Sequence, residues 1–183
     1  MTAPRRRGPV PRFSREQLVD AAVEVVGLQG FGALSLRSVA RHLGAGPMTL
    51  YSYVDSSEEL ATLVVERLVG EAILDLRWPR SWRGVLRLFA EQLDALIVTH
   101  PAMVEAYGRG MVRSGRAEQV AKDVQERLVA DGLSPTRARD AYLGVHAVVL
   151  GCALLRGDGG ATKSRVEIPL TRLIDALLEG VAL

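Results

Sequence analysis

Apolar residues recur at helical spacing along nearly the whole chain. Leu18, Ala22, Val25 and Val26 fall on one face of a helix whose start is marked by Ser14 and Gln17, a pair spaced to cap each other's backbone. Gly27, Gly30 and Gly32 end it. Leu36, Val39, Ala40 and Leu43 mark a short second helix beginning near Ser35. Gly44 and Gly46 break that helix, and Pro47 opens a third, predicted over 47–53. Ser56 and Glu59 repeat the capping signal before a long amphipathic helix reaching about residue 76. Ser81 starts another, to about residue 99, with Val85, Leu88, Phe89, Leu93 and Leu96 inward. Shorter segments follow from Pro101 to about 108 and over 115–131, the latter stopped by Gly132. Ser134 and Pro135 open the most apolar element, predicted to about Arg156, and a last helix begins near Pro169. No run alternates in the manner of a strand. The pattern predicts an all-α protein of about nine helices, with the first three forming one compact unit.

A chain of 183 residues can hold one or two domains without staples, and Cys152, the one cysteine, allows no internal disulfide. The arginines near the N-terminus are followed by Gly8, Pro9, Val10 and Pro11 in place of an apolar stretch, unlike a secretory signal. The longest segment free of formal charge, 141–155, is 15 residues long. A membrane span needs roughly 20. A buried helix in a cytoplasmic protein is the expectation. Net charge is only +2, but residues 1–54 hold seven arginines against three acids while the remainder is net negative. Positive charge on the N-terminal third suits a nucleic-acid partner.

The stretch 34–53 carries the functional signal. Two short helices joined by a glycine turn can cross steeply, so that the second stands out from the body. A helix of about seven residues is not stable alone. Leu50 and Val54 are therefore expected to seat it against Val39, Leu43 and the first helix. Its outer face would present Thr49, Tyr51, Ser52 and Tyr53, whose hydroxyl and phenol groups suit phosphates and base edges in a major groove.

Ala21, Ala22, Gly30, Phe31, the run Leu36 to Ala40, Leu43, Gly44, the run Met48 to Val54, Glu59 and Leu60 together resemble the N-terminal domain of the tetracycline-repressor (TetR) family, over roughly residues 14–65. The resemblance implies a flexible basic arm (1–12), a helix-turn-helix DNA-binding domain (13–58) and a helical ligand-binding and dimerisation domain (59–183). It implies that Ser35 caps the second helix and touches a phosphate, that Arg37 reaches a base or phosphate, and that Thr49 and Tyr51 make groove and phosphate contacts. Packing against the first helix is the alternative for Tyr51. Tyr53 stands where the family places a side chain against the DNA backbone, and Pro47, Met48 and Ser52 complete the recognition element. The family usually opens its fourth helix with lysine, where this chain has Ser57. A hydroxyl at a helix start can still meet a phosphate, with one charge fewer. The Arg5, Arg6, Arg7 arm either compensates in a minor groove or is plain disorder.

Ser81-Trp82, Leu133 to Pro135, Ala141-Tyr142 and 151–155 resemble the ligand-binding domain of the tetracycline repressor's own subgroup. In that fold the long helix and the last helix pair with their twins. This implies a homodimer contact from Tyr142, Val145, Val149, Cys152 and Leu155, with Leu173 and Leu177 from the last helix. The subgroup's polar tetracycline and magnesium contacts are not reproduced: Phe89, Leu93, Ala106 and Arg109 stand there. An apolar pocket is expected instead, with Leu63, Arg67, Trp82, Leu86, Phe89, Met103, Tyr107, Met111 and His146 as candidate lining, each equally readable as core. His42, His100 and His146 lack metal-ligand spacing, and neither metal nor cofactor is expected. No nucleophile–base pair, carboxylate dyad or phosphate loop speaks for an enzyme. The expected function is a repressor that leaves operator DNA when a small molecule shifts the fourth helix. A ligand-independent repressor or an activator is the alternative, and a helical adaptor without DNA binding a more remote one.

Overall fold

The computed structural model describes residues 13–73, 76–112, 115–156 and 169–182. The expected basic arm, 1–12, lies outside them. Among the described residues there are nine α-helices and no strand. The chain divides after Leu60 into two compact units.

The first unit is built from α1 (Arg15–Gln29), α2 (Leu36–His42), α3 (Pro47–Leu50) and the start of α4 (Ser57–Ile73). Local chemistry sets each boundary. Ser14 Oγ accepts from the Gln17 amide at 3.1 Å while Gln17 Oε1 accepts from the Ser14 amide at 2.8 Å, closing the expected capping box. Ser35 and Ser38 do the same for α2, at 3.0 and 2.9 Å. α2 stops in a Schellman turn. Gly44 takes φ +62°, its amide donates to Arg41 O, and the Ala45 amide donates to Ala40 O at 2.8 Å. α3 is shorter than expected, ending at Leu50 rather than Tyr53. The Ser52 hydroxyl donates to the Thr49 carbonyl at 2.7 Å, and the Tyr53 amide turns instead to Leu50 O at 2.9 Å. A side chain competing for a backbone carbonyl is a common way to stop a helix. The second capping signal forms with a shift. Ser56 Oγ accepts from the Glu59 amide, but the Glu59 carboxylate reaches back one residue further, to the Asp55 amide at 2.7 Å.

What holds this unit is a small apolar core. Leu18, Ala22, Val39, Leu50 and Leu60 are fully buried, with Val25, Val26, Phe31 and Val54 almost so. α1 packs on α2, and α2 on α3. Each large side chain removed from water contributes about 1.5–3 kcal/mol, and nothing else sustains a helix as short as α3.

The second unit contains the rest of α4, then α5 (Trp82–Thr99), α6 (Met103–Gly108), α7 (Arg116–Ala130), α8 (Pro135–Arg156) and α9 (Leu170–Ala182). α8 is the hub, packing on α5, α6, α7 and α9. Gly144 lets α9 close in: a Cβ there would stand 3.1 Å from Leu177 Cδ1. By length and composition α8 is apolar enough to cross a bilayer. Its buried residues, Ala138, Ala141, Val145, Val149 and Cys152, form a single stripe against the neighbouring helices. α8 is therefore buried within the chain along one face only. Leu143, Leu154 and Leu155 are exposed, at 50, 67 and 68%.

Candidate functional site

In the first unit α2 and α3 carry the exposed candidate side chains. Arg37, Pro47 and Ser52 are exposed, as are Met48 at 80% and Tyr51 at 51%. Tyr51 thus points away from the first helix rather than packing on it. Thr49, Ser35 and Ser57 are half-buried, and the Ser35 hydroxyl is engaged in the α2 cap. Leu50 faces the core directly behind these groups. The sequence reading overlooked Arg41, which is exposed in the last turn of α2 and lies one turn after Arg37.

Tyr53 does something different from what was expected. Its hydroxyl donates to the Phe13 carbonyl at 2.7 Å, and its ring stacks on Phe13 with centroids 5.3 Å apart. The phenol therefore ties the chain entering α1 to the turn leaving α3, and is not held out toward a duplex. Phe13 was not singled out from the sequence, because only the folded chain brings it beside a residue 40 positions away.

In the second unit the candidate ligand residues separate into two places. Phe89 on α5, Tyr107 on α6 and His146 on α8 meet in one aromatic cluster. Tyr142 belongs to it as well, stacked on Phe89 at 5.1 Å and edge-on to His146 at 4.5 Å. Assigned to a dimer contact from the sequence, Tyr142 instead faces its own core, since α8 turns it toward α5. Leu86 and Met103 are fully buried in the same unit, and Leu63 and Met111 are half-buried. Arg67 pairs along α4 with Glu71 at 2.6 Å. Trp82 stands apart from the cluster. Its amide donates to Asp131 Oδ2 at 2.7 Å, and its ring lines a surface groove of about 490 Å³ with Arg83, Leu133, Ser134 and Arg137.

The dimer assignment needs a further correction. Val145 and Val149 are fully buried within the chain and Cys152 is 3% exposed, so they cannot face a partner. Leu177 is half-buried against Gly144. Leu155 and Leu173 are exposed, as an interface requires. A helix advances about 100° per residue. On that wheel the buried stripe of α8 lies opposite an arc holding Leu143, Ala147, Gly151 and Leu154, and the exposed Leu155 lies on the flank between them.

Electrostatics in the cluster are set by burial. Desolvation pushes the Tyr107 phenol up to about 12 and that of Tyr142 higher still, with Tyr107 nearby adding to the latter shift. Burial lowers His146 below its ordinary range, partly countered by Nδ1–H donating to the Tyr142 carbonyl at 3.1 Å. His146 is therefore neutral at pH 7, with Nε2 left as an acceptor among rings. Unfolding frees this histidine to bind a proton more readily. Its contribution to stability is thus intact above about pH 6.5 and lost as pH falls toward the depressed folded value. Melting temperatures at pH 7 and pH 5 should show this. His146→Phe is expected to lose several degrees less than the parent chain over that interval, whereas equal losses would mean the imidazole is not buried. Cys152 is similarly shifted upward by burial, beside the Asp94–Arg156 ion pair. Among the described residues no three potential metal ligands gather.

Residues 18–63 match the family described as bacterial regulatory proteins, tetR family. The chain is 30% identical over 149 residues to the HTH-type transcriptional repressor DrrR1 of Streptomyces coeruleorubidus. That match covers 80% of this chain and 55% of that protein, so the chain spans about half the length of this relative. Among solved structures, the fold matches BioQ with its natural double-stranded DNA operator (TM-score 0.72, 19% identity, 93% of this chain and 99% of that one). It also matches a TetR variant from Acinetobacter baumannii AYE in complex with minocycline (TM-score 0.70, 20% identity, 93% of each chain).

Proposed function

Because this chain belongs to the TetR family of bacterial regulatory proteins, we propose that it is a cytoplasmic, homodimeric transcriptional repressor that holds operator DNA through α2 and α3. The observation that carries the reading is the pairing of an exposed α3 surface with a fully buried Leu50 behind it. A four-residue helix is propped outward by its own core, which is what a reading head requires. Arg37 and Arg41 supply guanidinium groups for guanine edges or phosphates. Met48 offers an apolar tip for thymine methyl groups, and Tyr51, Ser52, Thr49, Ser35 and Ser57 hold the head against the sugar–phosphate backbone. The exposed arc of α8 with Leu173 of α9 forms the dimer seam. Two-fold symmetry then sets the two heads about 34–36 Å apart.

The aromatic cluster is the effector site. A small, largely apolar molecule enters by parting Phe89, Tyr107, Tyr142 and His146, and His146 Nε2 gives it one polar contact. It releases DNA only if it favours the parted state. The helix α4 is continuous across the boundary between the units, which makes it the natural element for that coupling. One observation favours the second reading, a repressor that needs no effector. The rings already fill the site, with centroids 4.5–5.7 Å apart. No catalytic role is proposed for any residue. Selection of duplexes from a randomised pool, followed by anisotropy titration, tests the DNA reading. A two-fold-symmetric sequence should emerge, and Arg37→Ala and Tyr51→Ala should each weaken it by about 5- to 150-fold, the scale of a lost base or backbone contact. Enrichment of no sequence would sink the proposal.

A further inference from the structure

One end of the second unit is held by short-range bonds around the groove beside Trp82. Pro79 packs onto Gly84, where a Cβ would stand 2.7 Å from Pro79 Cβ, and Ser81 Oγ accepts from the Gly84 amide at 3.2 Å, fixing the start of α5. The Trp82 amide donates to Asp131 Oδ2 at 2.7 Å, which anchors that start to the residue capping the end of α7. Gly132, at φ +101°, then turns the chain, its amide donating to Val129 O and the Leu133 amide to Leu128 O in a second Schellman turn. Ser134 Oγ accepts from the Arg137 amide at 3.3 Å, and α8 begins. The groove of about 490 Å³ lies among these ends of α5, α7 and α8, and Val181 from the last turn of α9 completes its lining. Within this unit Arg67, Arg87, Arg109 and Arg156 are each paired with an acid. Arg83 and Arg137 have no acidic partner among the described residues, and both line the groove. The Arg83 guanidinium lies over the Trp82 ring, 4.3 Å from its centroid.

Among the described residues, Asp131 supplies the groove's one carboxylate, and its Oδ2 is already engaged by the Trp82 amide. Two guanidinium groups beside a single, engaged acid leave net positive charge over a concave surface. A guanidinium matches a carboxylate with two parallel N–H···O bonds. The Trp82 ring, Leu133 and Val181 add apolar surface to the same groove, whose volume falls in the range of small-molecule sites, about 300–1,000 Å³. We propose that this groove is a second small-molecule site, separate from the aromatic cluster, and that it takes a small organic anion. Arg83 and Arg137 hold the carboxylate, and the apolar body lies against Trp82, Leu133 and Val181. The Ser134 hydroxyl offers one further donor. An inorganic anion satisfies the arginines alone and a neutral analogue the apolar surface alone, so affinity requires both halves of the molecule. The ligand touches the starts of α5 and α8 and the end of α9 at once, so occupancy ties these ends together and raises the melting temperature by mass action. Neither the site nor its test depends on the DNA reading.

Both tryptophans of the chain stand at this end, since Trp78 lies under Arg127, one turn before Asp131. Intrinsic emission therefore reports on this region. The probes are 3-phenylpropionate, its neutral amide and inorganic phosphate, titrated into the full chain at low salt and followed by tryptophan emission and calorimetry. 3-Phenylpropionate should bind with a Kd of about 0.1–1 mM, the scale for a ligand of its size, and more weakly as salt is added. The amide and phosphate should each bind at least about tenfold more weakly. Arg83→Gln and Arg137→Gln, both at exposed positions, should melt like the parent chain and each lose about tenfold in affinity, the scale of one charged hydrogen-bonded contact. His146→Phe should leave this binding unchanged. If 3-phenylpropionate does not bind at about 10 mM, or binds no better than its amide, or binds both arginine variants as it binds the parent, the groove is not an organic-anion site. Binding lost in His146→Phe and kept in both arginine variants would place the probe in the aromatic cluster and overturn the proposal equally.

Discussion

Truncating Leu50 to alanine should cost about 2–5 kcal/mol, the range for a fully buried leucine in a core unable to collapse around the gap. It should also abolish selective duplex binding. Leu50 is the only buried residue of α3, α3 packs on α2, and the Leu50 carbonyl accepts from the Tyr53 and Val54 amides of the following turn. With four residues, α3 has no capacity to persist on intrinsic propensity. Removing the anchor therefore removes the reading surface along with the packing energy. Denaturant unfolding followed alongside anisotropy should show both losses together. Met48→Ala is the contrast. At 80% exposure it touches little of the protein, so stability should stay within about 0.5 kcal/mol while binding weakens. A Leu50→Ala chain as stable as its parent would mean that α3 is held by something other than its core.

The second large effect concerns assembly. Replacing Leu154 and Leu155 with aspartate should convert the proposed dimer to monomer in sedimentation experiments and reduce operator affinity by about 10²–10⁴-fold, the contribution expected when two half-sites are no longer linked. Both leucines are about two-thirds exposed in the single chain, so the charge is tolerated before pairing and opposed only across the seam. Val149→Asp gives the internal comparison: it places a charge in the fully buried stripe of α8 and should unfold the unit. If the double aspartate chain remains paired, the seam lies on another surface.

Which features were legible in the sequence follows from how local their causes are. Ser14 with Gln17, Gly44 after α2, and Ser134 with Pro135 announce their helix ends because the bonds concerned span only a few residues. The length of α3 was misread because the Ser52 hydroxyl takes a carbonyl that the helix would have used, a choice that composition does not reveal. On α8 apolar residues occur nearly all round, so periodicity located two faces without saying which one the chain would bury against itself. Val145 and Val149 went inward, Leu154 and Leu155 outward. The exposed groups on α3 were visible as a hydroxyl-rich surface, whereas the pairing of Tyr53 with Phe13 and of Tyr142 with Phe89 depends on tertiary contacts between distant segments.

Cys152 has a practical use. The residue is 3% exposed and its thiol is less acidic than usual, and only the thiolate reacts readily. A maleimide dye or spin label should therefore leave the native cysteine untouched and attach to a cysteine introduced at the solvent-facing tip of α3. The chain is in effect already prepared for distance measurements between paired subunits, with no need for a cysteine-free background.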